Sequence, residues 1–389
     1  MAIRRAALAA AFAGLLLASC STTPEHEAYR QHEDDHHHAA GELLVLDPPG
    51  DYVAALPDME FRVIEVTDLG SLGGKLYHIE IADDRHPFVA RDHHRQRFPG
   101  VKADVHHHHF LHATKKTADK TYTARGATKW QSAGTACGAG LRIGVIDGGV
   151  DVRHEAFKGT GIKHRSFIAK DAKPSDTSHG TAVAAVLGGR GHWGGLLPAA
   201  ELRTANVFHR DAAGRTLGST KAILHAVDWL VAEKVAVINL SFGGASNVLV
   251  QEALDRVNKM GIVLVASGGN DGPFSKKKSY PAAYDSVIAV TALDRFERSA
   301  RFSSKGDYLE FAAPGVDIWT AVPPGGRPMS GTSFASPIIA GFAAAATRYK
   351  KLSGTEAVRK YLREHAKDKS EKGRDKYTGW GLVQLPPPC

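Results

Sequence analysis

The chain holds 389 residues, with 49 Lys and Arg against 41 Asp and Glu and a formal charge of +8. That length exceeds an ordinary single domain, so one large domain of roughly 250 residues with a smaller companion is the natural division. No internal apolar run reaches the roughly 18 residues of a membrane span, and the basic residues form no stripe interleaved with aromatics, which argues against a nucleic-acid partner.

In chain order, residues 1–20 place Arg4 and Arg5 before an apolar run from Ala6 to Ala18. This reads as an export signal. Its ending, Leu17-Ala18-Ser19-Cys20, resembles the lipobox of bacterial lipoproteins, which would make Cys20 the lipidated first residue of the mature protein. Ser21 after that Cys fits sorting to the outer membrane if the cell is Gram-negative. The other two cysteines, Cys137 and Cys389, could pair in an oxidising compartment or stay free.

Residues 21–41 are polar and His-rich and read as a flexible tether. Residues 42–112 carry two alternating stretches, Phe61 to Val66 and Lys75 to Ile81, with Gly70, Gly73 and Gly74 between them. Two strands about a turn are expected there, inside a small α+β unit. Residues 113–136 lack periodicity and are read as a linker open to proteolysis.

Within 137–389, short apolar runs alternate with helical patterns, the signature of βα units and a mostly parallel sheet. Strands are expected at Leu141 to Asp147, Glu201 to Val207, Ala236 to Ser241, Ile262 to Ser267 and Val287 to Ala292. Helices are expected over Thr220 to Lys234 and Asn247 to Met260, the first with Ile223, Leu224, Val227 and Leu230 on one face.

Four polar groups depart from this core pattern. Asp147 ends the strand Ile143 to Ile146 and precedes Gly148-Gly149, at the carboxyl edge where open α/β sheets bind ligands. His179 precedes Gly180 near a helix start, where the dipole disfavours protonation and so keeps the imidazole able to act as a base. Ser333 lies in Gly331-Thr332-Ser333-Phe334-Ala335-Ser336-Pro337, and Pro337 fits only a first helical turn, so Ser333 sits near a helix N-terminus. Asn270, in Gly268-Gly269-Asn270-Asp271-Gly272, offers an amide just after a buried strand. Singly these read as a turn Asp, a structural His, a helix cap and a turn Asn.

Together, Asp-Gly-Gly, His-Gly-Thr, Gly-Gly-Asn and Gly-Thr-Ser in that order resemble the subtilisin-like serine peptidases, whose triad runs Asp, His, Ser along the chain. The resemblance extends from about Leu141 to Leu385. It implies a three-layer α/β fold with a mostly parallel sheet behind a small α+β propeptide-like unit. It also implies serine endopeptidase chemistry through an acyl-enzyme, with Asp147 orienting His179, His179 activating Ser333, and Asn270 with the Ser333 N–H holding the oxyanion. Ser241, Phe242, Gly243 and Gly244 would bind the extended substrate, walling the first specificity pocket with Ala266, Ser267 and Gly268, a pocket suited to a large apolar side chain. The pattern departs at Gly148, Gly268 and Phe334, the first of which would remove a hydrogen bond to the Asp. The chemistry requires no cofactor, and nothing in the sequence identifies a calcium site.

The segment Glu60 to Phe110 resembles the propeptides of these peptidases, which assist folding and inhibit until cut; a permanent accessory or partner-binding domain is the other reading. Of the 21 histidines, 14 precede residue 113, clustered at His36 to His38, His93-His94 and His106 to His109. Solvated loops, a pH switch and transition-metal binding are three readings of them. For the whole chain the rivals are an inactive, protease-like binding lipoprotein and an esterase or transacylase on the same triad. The expected partners are protein or peptide substrates, the chain's own propeptide-like region as inhibitor, and a membrane reached through lipid.

Overall fold

The computed structural model describes residues 38–83, 85–111, 119–130 and 134–389, with the backbone of 114–115. The export signal, Cys20 and most of the tether lie outside the described residues. In chain order the N-terminal unit comprises strands β1 (His38–Leu46), β2 (Phe61–Asp68) and β3 (Lys75–Ile81), helix α1 (Pro87–Arg97) and strand β4 (Lys102–Phe110). The alternating stretches around residues 61–66 and 75–81 are thus β2 and β3. They pair antiparallel, as β1 does with β3 and with β4.

Side chains alternate across this sheet, and both faces are covered. Leu43, Val45, Ile79, Ala103 and Val105 meet Phe88 and Ala90 of α1 together with Tyr52 and Leu56. Leu44, Leu46 and Leu76 face the rest of the protein.

The large body begins before its first strand. Residues 119–130, within the stretch read as a linker, contain the helical turn Ala124–Ala127. Trp130 beside it is fully buried against Phe342 and donates from Nε1 to the Leu385 carbonyl at 2.7 Å. An indole of that size has enough apolar surface to fasten a segment that lacks any repeating pattern. Strand β5 (Thr114–Lys115) precedes it. The body's strands follow as β6 (Arg142–Asp147), β7 (Lys163–Ser166), β8 (Lys173–Pro174), β9 (Glu201–Asn206), β10 (Phe208–Arg210), β11 (Thr216–Ser219), β12 (Val237–Leu240), β13 (Gly243–Gly244), β14 (Val263–Ser267), β15 (Ile288–Leu293), β16 (Phe311–Pro314), β17 (Ile318–Val322) and β18 (Gly325–Ser330). Its main helices are α2 (Ser178–Gly188), α3 (Thr220–Ala232), α4 (Val248–Lys259), α5 (Thr332–Tyr349) and α6 (Thr355–Glu364).

The main sheet runs β16-β15-β14-β12-β6-β9-β7, parallel throughout, with two short strands added beyond β16. Val145, Val237, Val263 and Val265 point to one side, against α2 and α5. Ile146, Ile238, Leu240 and Leu264 point to the other, against α3 and α4. Burial on both faces explains the near-continuous apolar strand sequences. The fold is the expected three-layer α/β sandwich, with the N-terminal sheet laid over α3 and α4.

That seam is held by helix ends. Asp104 of β4 accepts the Val248 N–H at 3.0 Å, placing a carboxylate at the positive end of α4. Asn247 caps the same helix through Oδ1 and donates from Nδ2 to the Val105 carbonyl at 3.1 Å. Asp228 of α3 accepts the N–H groups of Ser71 and Leu72, and Arg256 of α4 pairs with Asp47 at 2.8 Å. Cys137 and Cys389 are joined as a disulfide, Cα atoms 5.5 Å apart, tying the start of the body to the last residue.

Candidate active site

The carboxyl edge of the parallel sheet brings three of the four singled-out groups onto secondary-structure ends. Asp147 is the last residue of β6 and His179 the second of α2, and His179 Nδ1 lies 2.7 Å from Asp147 Oδ1. Both are buried, so the carboxylate fixes the imidazole with its proton on Nδ1 and its lone pair on Nε2. Gly180 is what lets α2 approach: a Cβ there would lie 2.6 Å from the carbonyl oxygens of both Gly148 and Gly149. Phe334, the residue after Ser333, packs its ring on His179 at 5.4 Å between centroids.

Asp147 Oδ1 also accepts the Gly148 N–H at 2.6 Å, while its Oδ2 is buried without a hydrogen-bond partner. A hydroxyl-bearing side chain at 148 is the missing kind of donor, in line with the departure seen there in the sequence.

Ser333 is the second residue of α5, and Pro337 falls within that helix, in its second turn rather than its first. Its Oγ donates to the Ser241 carbonyl at 3.2 Å, while His179 Nε2 is buried and unpartnered. Ser241 in turn anchors the helix start: its Oγ donates to the Ser333 carbonyl at 3.1 Å, receives the Asn239 amide at 2.7 Å and lies 3.2 Å from Ser336 Oγ. Asn270 follows the β14 end, and its Oδ1 accepts both the N–H and the hydroxyl of Thr332, at 3.0 and 2.9 Å. Those two bonds orient the amide, turning Nδ2 to the opposite side.

The remaining sequence-selected residues form one cleft wall. Gly243 and Gly244 make up β13, and Phe242 is fully buried behind them. Ala266 is a core residue of β14, paired with Leu240. Ser267 Oγ contacts the Phe242 carbonyl at 3.4 Å, and Gly268 is held through its N–H to Val290 and its carbonyl to Tyr308.

The facing wall is β11, which the sequence reading passed over. Its one signal is Gly218, just before the helix cap Ser219; a Cβ at Gly218 would meet the Phe208 ring at 2.8 Å.

Between the walls lies the end of β4. Phe110 pairs with Gly243 and His109 with Gly244 on one side, while His109 and His108 pair with Gly218 and Ser219 on the other. Leu111 then lies against Gly148, the residue after Asp147, where a Cβ would be 3.3 Å from Leu111 Cδ1. Beyond, Thr114 pairs with Ser330 and Lys115 with Met329, on the strand that leads into Ser333.

Comparison with known proteins settles the lineage. The sequence profile of the subtilase family matches residues 138–381. The chain belongs to the subtilase family. It is 35% identical over 257 residues to subtilisin DY of Bacillus licheniformis, a match covering 64% of this chain and 90% of that one. It is 31% identical over 253 residues to the minor extracellular protease Epr of Bacillus subtilis, covering 64% of this chain but 38% of Epr. Fervidolysin from Fervidobacterium pennivorans, a keratinolytic enzyme related to subtilisin, superposes with a TM-score of 0.73 at 23% identity, over 89% of this chain and 60% of its own. That likeness shows a shared fold. The subtilase body, residues 138–381, is that of a subtilisin-like serine endopeptidase, a hydrolase.

Proposed function

We propose that the whole chain is an exported proenzyme in which Ser333 is the nucleophile, His179 the general base and Asp147 the residue that orients it. In the arrangement described, the Ser333 hydroxyl rests on the Ser241 carbonyl. A turn about the Ser333 Cα–Cβ bond directs it to His179 Nε2, whose lone pair has no other partner. Nε2 takes the proton as Oγ bonds to the substrate carbonyl carbon, and the carbonyl electron pair moves to oxygen. The oxyanion is met by Asn270 Nδ2 and by the Ser333 N–H at the start of α5. Nε2–H then protonates the departing amine, and water repeats the cycle to free the acid.

The observation that carries this reading is the course of the chain's own segment through the cleft. Residues 108–110 run as an extended strand between β11 and β13, as a peptide substrate would, with main-chain pairing for affinity and alternate side chains for specificity. The contacts of Leu111 beside Gly148 and of Thr114 with Ser330 support a cut in this stretch of the chain. The N-terminal unit therefore acts as an intramolecular inhibitor, and cleavage falls between residues 111 and 114, at the edge of the segment read as a linker. The export signal and a lipid on Cys20 complete the proposal, holding the enzyme in the cell envelope until it is cut.

Purified full-length protein should label with a fluorophosphonate and yield a new N-terminus at residue 112, 113 or 114. Ser333→Ala should do neither. Labelling that survives Ser333→Ala, or a wild-type protein that stays whole and unlabelled at every pH tested, would refute the assignment.

A further inference from the structure

Three ligand-type side chains converge in the N-terminal sheet, away from the triad. The strand order is β2-β3-β1-β4, so β1 lies between β3 and β4. Leu44 points toward α3 and α4, and Glu42, two residues earlier, shares its face. His78 of β3 is the register partner of Leu44, and His106 of β4 follows Val105, the partner of Leu43. The three side chains therefore stand on one face of three adjacent strands.

His78 Nε2 lies 2.7 Å and His106 Nδ1 2.8 Å from the same oxygen, Glu42 Oε2, and one ligand atom from each residue lies within 4.8 Å of the others. The far nitrogens, His78 Nδ1 and His106 Nε2, are buried without partners. Lys221 of α3, paired with Glu65 of β2, and His225 are the charged and titratable neighbours from the body side.

We propose that Glu42, His78 and His106 bind a divalent transition ion of the zinc class, clamping three strands of the N-terminal sheet beside its seam with α3. Two imidazoles and one carboxylate are the donor set of a three-ligand zinc site, with water in the fourth position. Zinc bonds of about 2.0–2.1 Å set tetrahedral ligand atoms roughly 3.3 Å apart. Glu42 thus withdraws by about half an ångström, a small side-chain rotation. Its side chain is 29% exposed, against 12% for His78 and 11% for His106, so an ion enters from solvent past the carboxylate.

The test uses the full chain carrying Ser333→Ala, stripped by chelator and titrated calorimetrically with zinc chloride. One ion per chain is expected. Its affinity falls by about 100-fold or more in the His78→Gln/His106→Gln double variant, since even outer partners of metal ligands are worth about 10- to 100-fold. His36→Gln/His37→Gln should leave it unchanged. No stoichiometric binding at micromolar zinc, or equal binding in the double variant, overturns the site. If circular dichroism shows the double variant unfolded, cobalt(II) added to the parent decides: intense tetrahedral visible bands displaced by zinc support the site, and their absence overturns it.

Discussion

Lowering the pH should loosen the strand that fills the cleft, and His109 sets the magnitude. Its imidazole is 1% exposed, edge-on to Phe242, with Nε2 facing the Thr220 hydroxyl at 3.4 Å and Nδ1 unpartnered. That hydroxyl donates to the His107 carbonyl and so is free to accept from a neutral His109. No carboxylate compensates a proton on the ring: burial, then His108 and His106, push it down to about 3. The docked form therefore disfavours protonation, and docking is strongest above the free-histidine value of about 6.5. It weakens as pH falls from there toward about 3 and is constant below. Between about pH 7.5 and pH 5 one such group weakens docking about 30-fold, or ~2 kcal/mol. Amide hydrogen exchange in metal-free Ser333→Ala protein, corrected for intrinsic rates, reads this at Phe110, the partner of Gly243. Protection should fall by at least that factor in the parent and by clearly less in His109→Leu, where the buried His106, also held downward, remains. An equally steep fall in His109→Leu would refute the argument.

Two substitutions address the chemistry. Asn270→Ala should lower kcat by about 10²- to 10³-fold with little change in KM, measured on a peptide substrate, because in the proposed mechanism the amide meets charge that develops only in the transition state. Gly180→Ala would drive a methyl group to 2.6 Å from two carbonyl oxygens, displacing the start of α2 and parting His179 from Asp147. Overpacking of this kind costs about 1–3 kcal/mol of stability, so thermal denaturation should fall modestly while kcat falls far more.

The apolar runs of β6, β12, β14 and β15 were legible because strands buried on both faces carry little polar alternation. The four chemical groups were legible from the glycines beside them, and Gly180 is the physical case, excluded from being any other residue by two carbonyls. Trp130 was hidden because one large side chain fastens a segment that carries no periodicity. The β11 wall and the docking of residues 108–110 were hidden for another reason. Both are antiparallel pairings between segments more than a hundred residues apart, and a short glycine-bearing strand carries no mark of its partner.

The geometry also separates cutting from release. The N-terminal unit holds the body through Asp104 on the α4 terminus, Asn247 on the Val105 carbonyl, Thr220 on the His107 carbonyl, Asp228 on the 71–72 turn and the apolar face of β1. Every one of these contacts precedes residue 111, so a break between 111 and 114 removes none of them. Among the described residues it severs the covalent link alone, since β5 stays with β18 on the body side. The fragment should therefore stay bound and inhibitory after the cut. Gel filtration of self-processed protein at neutral pH should show both pieces co-eluting with low peptidase activity, and acid, acting through His109, should part them. Immediate separation at neutral pH, with full activity appearing at the rate of the cut, would mean that the covalent link and not the seam maintains inhibition.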